Sequence, residues 1–504
     1  MRLPRLTKSK KSGLPPLKFY NTLSSTVETF EPLGTTVKMY NCGPTVYDRQ
    51  HIGNLRGPIL ANVLRRTLEI WDYPVKHVSN ITDVGHLTGD NSGDADLGED
   101  RMEIGARKRG LSAQEVAKEI TELFFNDLDL VNIDRSQITF TPATQYIPEQ
   151  IALIKTLEEK GYTYRIGDGI YFDTAKFPGY GKLGNIDLAG LREGARVEEN
   201  VEKHRAYDFA LWKFSKSDES RQQEWPSPWG VGFPGWHIEC TAMIFKLLGK
   251  QIDIHIGGID LIPIHHNNEI AQAEAVTGKQ FVRYWVHNEF ITIEGKKVSK
   301  SLGNTVYLQQ LVDHGLSPQS LRYWYLTGHY RTPMNFTWEA IEAANTTLGR
   351  LARLYYEMPV STSTPNEEFL KDFYAAIADD LNTAQALARV WDLVKDPNIS
   401  PGAKRASLFV VDKVLGLGLS DAKKTLRIHV SENVIETEIP TEVTAILERR
   451  EEARKNKDFA AADDLREKIR ELGYEVTDTE EGQKINKKPP QSPITDSGEG
   501  ITRD

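Results

Sequence analysis

The stretch 38–56, KMYNCGPTVYDRQHIGNLR, sets a strand-like run, a Gly43-Pro44 break and a His51-Ile52-Gly53-Asn54 turn directly ahead of a long helical pattern. After the turn, Leu60, Leu64, Leu68 and Trp71 recur at helical spacing, so the turn is where a helix begins. Gly53 lets the backbone come close to a ligand at that point. The helix N-terminus offers unpaired N–H groups and a positive dipole end, a natural seat for phosphate. A histidine there donates to phosphate oxygens without adding a permanent charge, which suits a site that must hold phosphates and later release them. Taken alone, the tetrapeptide fits a buried structural histidine better than a binding site.

The run 36–42, the helical pattern 57–71 and the run 75–82 alternate as a Rossmann-type, doubly wound parallel sheet requires, which makes the fold class α/β. A polar loop is expected over 85–99, with helices over 101–130 and 146–160. From 161 to 213 the pattern breaks into Asp168-Gly169-Ile170-Tyr171-Phe172-Asp173, a glycine-rich charged stretch and Asp208-Phe209-Ala210-Leu211-Trp212-Lys213. With so little apolar periodicity, a free-standing domain of that size would be marginal. Strand-like 252–256 and 281–290 then resume the sheet. Ile341, Ala344, Leu348 and Leu351 share one helical face, as do Phe373, Ile377, Leu381 and Ala384, so an α-helical bundle is expected over 337–419. A linker rich in Thr and Glu leads to a helical pair, 441–455 and 458–472. In the second helix Phe459, Ala462, Leu465, Ile469 and Leu472 line one face, with Gly473 as C-cap.

A second chemical feature is Lys297-Val298-Ser299-Lys300-Ser301, flanked by Gly295 and Gly303. The glycines let such a loop close, the lysines neutralise charge developing on transferring phosphates, and the serines add donors; a solvated lysine loop is the plainer reading. His265 and Glu269, four apart, project from one helical face, a spacing suited to two ligands of one metal, although such a pair on its own is usually a surface interaction. Only two cysteines occur in 504 residues, far apart, which argues against a disulfide framework and for a reducing cytoplasm. No run approaches the roughly 18–20 apolar residues that span a bilayer, so a membrane role is not expected. The net charge of −9 excludes an all-over basic nucleic-acid binder and leaves local basic patches.

The HIGN-type turn followed by the KVSKS loop resembles the HIGH and KMSKS signatures of class I aminoacyl-tRNA synthetases. Cys42-Gly43-Pro44-Thr45-Val46-Tyr47-Asp48, Gly235-Trp236-His237-Ile238-Glu239-Cys240 and His265-His266-Asn267-Asn268-Glu269 narrow the resemblance. With Asp379-Asp380-Leu381-Asn382-Thr383 and the run 453–465, they make the chain similar to cysteinyl-tRNA synthetases from about 19 to 482. The resemblance implies a synthetase that condenses L-cysteine with ATP to cysteinyl adenylate and pyrophosphate, then passes cysteine to the 3′ end of cysteine tRNA. It implies catalytic roles for His51, Asn54, Lys297 and Lys300, and ATP contacts from Gly43, Thr45, His51, Gly53, Asn54 and Lys300, with Mg2+ accompanying ATP. Thr82, Trp236, His255 and Asp260 would line the amino-acid pocket, although Trp236 fits plain core equally well. Cys42, Cys240, His265 and Glu269 would hold one zinc per chain. Cysteine and serine are nearly equal in size, so shape separates them weakly; a thiol becomes a soft anionic ligand near neutral pH and a hydroxyl does not. The sequence departs from the family pattern at Ile256, Pro263-Ile264, Asn267 and Gly85-His86.

The expected division is a disordered basic tail (1–18), a first catalytic half (19–160), a connecting insertion (161–213) and a second catalytic half (214–290). Then come the KVSKS loop and stem-contact region (291–336), a tRNA-binding helical bundle (337–425), a small C-terminal anticodon-side domain (426–484) and a disordered tail (485–504). The anticodon side carries a basic cluster of Arg449, Arg450, Arg454, Lys455 and Lys457, while the segment TEEGQKINKK after it lacks an aromatic for base stacking. A monomer in the cytoplasm is expected.

Overall fold

Val, Ile and Tyr dominate the runs that form the central sheet, and such runs, buried on both faces, are what a parallel sheet covered by helices requires. In a computed structural model, the described residues are 13–85, 99–186, 202–215, 221–298, 303–421 and, nearer the C-terminus, 443, 446–447, 449–450, 453–454, 458–472, 474–479 and 482–487. The chain divides into two units, Met1–Leu426 and Arg427–Asp504.

In the first unit a short hairpin, β1 (Lys18–Asn21) and β2 (Thr26–Thr29), leads into β3 (Val37–Asn41), helix α1 (Arg56–Ile70) and β4 (Val75–Ile81). Helices α2 (Arg101–Arg109) and α3 (Ala113–Leu130), strand β5 (Thr139–Pro142) and helix α4 (Ile147–Glu159) follow. An antiparallel sheet of β6 (Thr163–Ile166), β7 (Gly169–Phe172), β8 (Phe209–Phe214) and β9 (Gly232–Pro234) interrupts the alternation. It then resumes as α5 (Trp236–Leu247), β10 (Ile252–Gly258), α6 (Asn267–Thr277) and β11 (Val282–Asn288). The main sheet has the order β11-β10-β3-β4-β5, every pair parallel. Winding proceeds one way from β3 through β4 to β5 and the other way from β10 to β11, so the switch point lies between β3 and β10, where ligands of open α/β sheets bind.

A small sheet continues the chain: β12 (Ile291–Ile293) pairs antiparallel with β13 (Lys296–Lys297) and parallel with β14 (Met334–Phe336). Helices α7 (Leu308–Asp313) and α8 (Gln319–Leu326) lie between β13 and β14. The bundle comprises α9 (Trp338–Glu357), α10 (Glu367–Ala378), α11 (Thr383–Lys395) and α12 (Pro401–Leu415). Its buried Ile341, Leu348, Phe373, Ile377 and Leu408 belong to the same core as Leu60 and Leu64 of α1, so bundle and first sheet half share one interior.

Three features of the structure differ from the sequence reading. The basic tail joins the body before 18: Leu17 is buried, the Trp71 indole donates to the Pro15 carbonyl at 2.8 Å, and Lys18 opens a strand. The insertion sheet draws its fourth strand from 232–234, beyond 213, because β9 closes the edge of β8; Phe172, Phe209 and Leu211 pack there against Leu153 and Ile154 of α4. In the second unit, α13 (Phe459–Glu471) is followed by a hairpin, β15 (Tyr474–Thr479) and β16 (Gly482–Lys487), so ordered strand runs past 484. Ile469 packs in a small core with Val443, Tyr474 and Val476. Leu472 is 40% exposed and drops out of the apolar face, while Gly473 lies outside the described residues.

The Asp379-to-Thr383 motif is a clamp. Asp380 and Leu381 adopt left-handed backbone, with φ of 56° and 53°, and the Asn382 side chain caps α11 by accepting from Gln385 N. The Asp380 carboxylate accepts from Tyr20 N at 2.8 Å, the Tyr330 hydroxyl at 2.6 Å and Arg331 Nε at 2.7 Å, tying β1 and the segment before β14 to the bundle. Because Asp380 is buried and Arg331 is partly exposed, Asp380→Ala should cost about 3 kcal/mol of stability, the sum of an abandoned buried network and an unfavourable backbone. Denaturant unfolding followed by tryptophan fluorescence measures it, and a loss below about 1 kcal/mol would reduce the clamp to a surface contact.

Candidate active site

The chain leaves β3 through Cys42 and Gly43 with little room: a Cβ on Gly43 would lie 1.7 Å from the Asn80 carbonyl, so only glycine passes. Gly43 N donates to Asn80 Oδ1 at 2.7 Å, and Val46 N and Thr82 N bond across to Thr82 O and Pro44 O. Thr45 is thereby held beside the end of β4, facing Thr82 in an isolated bridge. The HIGN turn is a 3-10 turn, Ile52–Leu55, leading into α1. His51 N donates to Asn54 Oδ1 at 3.0 Å and Asn54 N to His51 O at 2.9 Å, so Asn54 shapes the turn through its own side chain. A Cβ on Gly53 would lie 2.9 Å from His51 Cε1; the space this glycine leaves is used by the imidazole, which rests half-buried over the turn. Lys297 is exposed on β13, and Asn304 Nδ2 donates to its carbonyl at 2.9 Å. Lys300 lies outside the described residues.

At the switch point the proposed metal residues converge. Cys42 follows β3, Cys240 sits on α5, and His265 and Glu269 lie at a π-helical turn (Ile262–His266) running into α6. Cys42, His265, His266 and Glu269 each offer a ligand atom, all within 4.8 Å of one another. Cys240 falls outside that tightest group but touches both Cys42 and His265. Its contact with Cys42, followed by burial, pushes the Cys240 thiol well above its usual range. Glu269 is fully buried. Its Oε2 lies 3.0 Å from His255 Nε2, and Oε1 lies 2.8 Å from His265 Nε2. That second approach is an ion pair, so Oε1 is a buried carboxylate oxygen facing the His265 imidazole. Burial would raise the Glu269 carboxyl, but His255 and His265 hold it down at about 2. Burial would likewise lower His265, and Glu269 with the Cys240 sulfur outweighs it to hold the imidazole at about 10. A buried anionic oxygen beside thiols and imidazoles is the donor set a zinc ion takes.

Of the pocket residues, Thr82 is buried and donates to Glu239 Oε2 at 3.1 Å, and half-buried Trp236 lies against His265 with the rings tilted and their centroids 4.6 Å apart. Asp260 is exposed just past the end of β10. His255 is fully buried and turned to Glu269, so it supports that carboxylate and does not line an open pocket, unlike the role the resemblance gives it. The sequence reading missed three histidines. His237 Nδ1 lies 3.0 Å from His265 Nδ1, His266 Nε2 lies 3.4 Å from Cys42 Sγ, and His266 Nδ1 lies 2.8 Å from His287 Nε2. Their signal was there: His237 and His266 stand inside motifs already singled out, and His287 ends a buried strand where a polar residue needs a partner. Asn267, a departure from the family pattern, bonds Leu183 N and O and Ile262 O, locking the insertion onto the π-turn.

Comparison with known proteins agrees with this layout. Residues 29–346 match a model of the class I (C) tRNA synthetase catalytic domain, 372–417 a DALR domain, and 436–485 a cysteinyl-tRNA ligase anticodon binding domain. The chain is 47% identical over 472 residues to cysteine–tRNA ligase 1 of Burkholderia lata, covering 93% of this chain and 97% of that relative. It is 42% identical over 484 residues to the cysteine–tRNA ligase of Thermus thermophilus, covering 92% and 98%. Among solved structures, a Mycobacterium tuberculosis methionyl-tRNA synthetase with methionyl-adenylate superposes with a TM-score of 0.51 at 14% identity, over 79% of this chain and 92% of that one. A LeuRS from Agrobacterium radiobacter K84 in a ternary complex gives 0.54 at 11% identity, over 79% and 86%; these two speak to the fold alone. No described helix is long and apolar enough to cross a membrane. With motifs, sheet topology and near full-length identity in agreement, the chain belongs to the cysteinyl-tRNA synthetase family of class I aminoacyl-tRNA synthetases.

Proposed function

We propose that this chain carries out the ATP-dependent, AMP-forming cysteine–tRNA ligase reaction with one zinc ion as the selector of the cysteine thiol. Cys42, Cys240, His265 and Glu269 would hold the zinc, and the buried convergence of Cys42, His265 and Glu269 ligand atoms within 4.8 Å, with Cys240 in contact, is the observation that carries this reading. Cys240 is preferred to His266 as the fourth ligand because both nitrogens of His266 already face Cys42 and His287. When bound, the ion supplies a soft acceptor for a thiolate, which serine does not match. Replacing it with Co2+ should give thiolate-to-cobalt absorption that cysteine perturbs and serine leaves alone; a spectrum without thiolate bands would sink the assignment.

No protein nucleophile is needed, because the substrate carboxylate attacks the α-phosphate. Exposed Asp260 provides a carboxylate for the substrate ammonium, with Trp236 closing the pocket over His265. Positioning supplies most of the rate, and His51, Asn54, Lys297 and Lys300, together with Mg2+ on ATP, stabilise charge as pyrophosphate leaves. Gly43, Thr45 and Gly53 bring backbone close to the nucleotide. The enzyme acts as a monomer in the cytoplasm, to be tested by sedimentation and by fractionation.

The segment from 441 onward serves cysteine tRNA. Arg450 is fully buried and is therefore part of the C-terminal fold, whereas Arg449 and Arg454 are exposed. A chain ended near Pro440 should keep cysteine-dependent pyrophosphate exchange and lose most tRNA charging through weaker tRNA affinity. Equal charging by the full and shortened chains would refute this role, and loss of exchange would show that the segment supports the catalytic fold.

A further inference from the structure

Arg56 immediately follows the HIGN turn's Leu55 and opens α1, yet its side chain is buried, at 3% exposure. Nη1 donates to the carbonyls of Glu289 and Phe290, both at 2.8 Å. Nη2 donates to those of His329 at 3.1 Å and Thr332 at 2.8 Å. These four acceptors come in two pairs: one directly before β12, the other in the segment that leads into β14. The two strands pair in parallel, and β12 also carries β13, where Lys297 begins the KVSKS loop. A buried guanidinium is costly unless its donors are satisfied, and its planar fork reaches two segments at once as an ammonium cannot. The far side of the loop is fastened to the same turn, because Ile52 N donates to Val306 O at 2.9 Å, just past Gly303. Tyr325 on α8 adds a hydrogen bond from its hydroxyl to Ile52 O at 2.9 Å.

We propose that Arg56 is a positioning residue for adenylate formation. It fixes the sheet that carries the KVSKS loop at a set distance from the HIGN turn, so that groups on both sides meet the same triphosphate. The inference rests on the reading that turn and loop carry the ATP chemistry. A misplacement of about 1 Å between such groups costs about a hundredfold in rate. The residues proposed for the zinc follow β3 or sit on α5, the π-helical turn and α6, and none of them contacts Arg56.

The test uses the full chain with Arg56→Lys and Arg56→Gln, checked for folding by circular dichroism and assayed for cysteine-dependent pyrophosphate exchange. Expected are folded proteins whose kcat falls roughly ten- to a hundredfold, with KM for cysteine close to that of the parent and Arg56→Lys the milder of the two. Lys297→Ala should also lower kcat, and the Arg56→Lys, Lys297→Ala double variant should lose less than the product of the single losses, since one residue acts through the other. A normal Arg56→Lys enzyme beside a crippled Lys297→Ala enzyme overturns the inference alone. A normal Lys297→Ala enzyme overturns the reading of the loop and the inference with it. Equal losses in kcat and in cysteine affinity, fully multiplicative losses in the double variant, or failure of both Arg56 variants to fold would assign Arg56 to the fold only.

Discussion

Cys240→Ser should lose its metal and cysteine activation together. Serine is isosteric, so the fully packed α5 position loses no volume and the fold stays intact; what changes is the donor, from a soft thiolate to a hydroxyl that does not ionise near neutral pH. Loss of a residue that merely orients a ligand costs about 10–100-fold in metal affinity or activity, and loss of a ligand itself should exceed that. The remaining Cys42, His265 and Glu269 would bind the ion weakly and with altered geometry. Metal analysis and exchange kinetics on the purified variant check it. If Cys240→Ser kept its zinc and its cysteine affinity, the tighter cluster containing His266 would be the metal site instead.

Lys300→Ala should lower turnover in adenylate formation about a hundredfold, the scale of removing one contact that acts on transition-state charge. Cysteine binding should change little, because the loop meets charge that grows on the phosphates and not the ground-state amino acid. Single-turnover kinetics with cysteine and ATP separate the two effects. An increase confined to the Michaelis constant for ATP would make the loop a ground-state binding element.

Much of this was legible in the chain. Alternating apolar runs gave the β3–α1–β4 opening and β10–β11, with boundaries shifted by one or two residues, because burial on both faces leaves an unmistakable apolar run. The bundle was legible for the same reason: Ile341, Leu348, Phe373 and Ile377 keep a helical period and do enter the core. What escaped depends on contacts between distant segments. β9 is three residues long and becomes a strand only by pairing with β8, and β16, reading GQKINK, has no apolar alternation and is held by register with β15. Leu472 kept the helical period but sits at the C-cap, where the face turns outward. At the site, motif residues fell together at the switch point, yet the partnership of His255 with Glu269 joins β10 to the first turn of α6, a contact that no spacing in the sequence encodes. Arg56 likewise reveals its role only through main-chain groups far away in sequence, and Asp380 only through Tyr20 N and the side chains of Tyr330 and Arg331.

The most direct test is cysteine-dependent ATP–pyrophosphate exchange by the full chain as zinc is withdrawn with a chelator and restored, with serine run in parallel. The expected result is exchange that rises and falls with zinc content, saturating at about one ion per chain, and none supported by serine in either state. Undiminished cysteine exchange in zinc-free protein would contradict the assignment of thiol selection to Cys42, Cys240, His265 and Glu269.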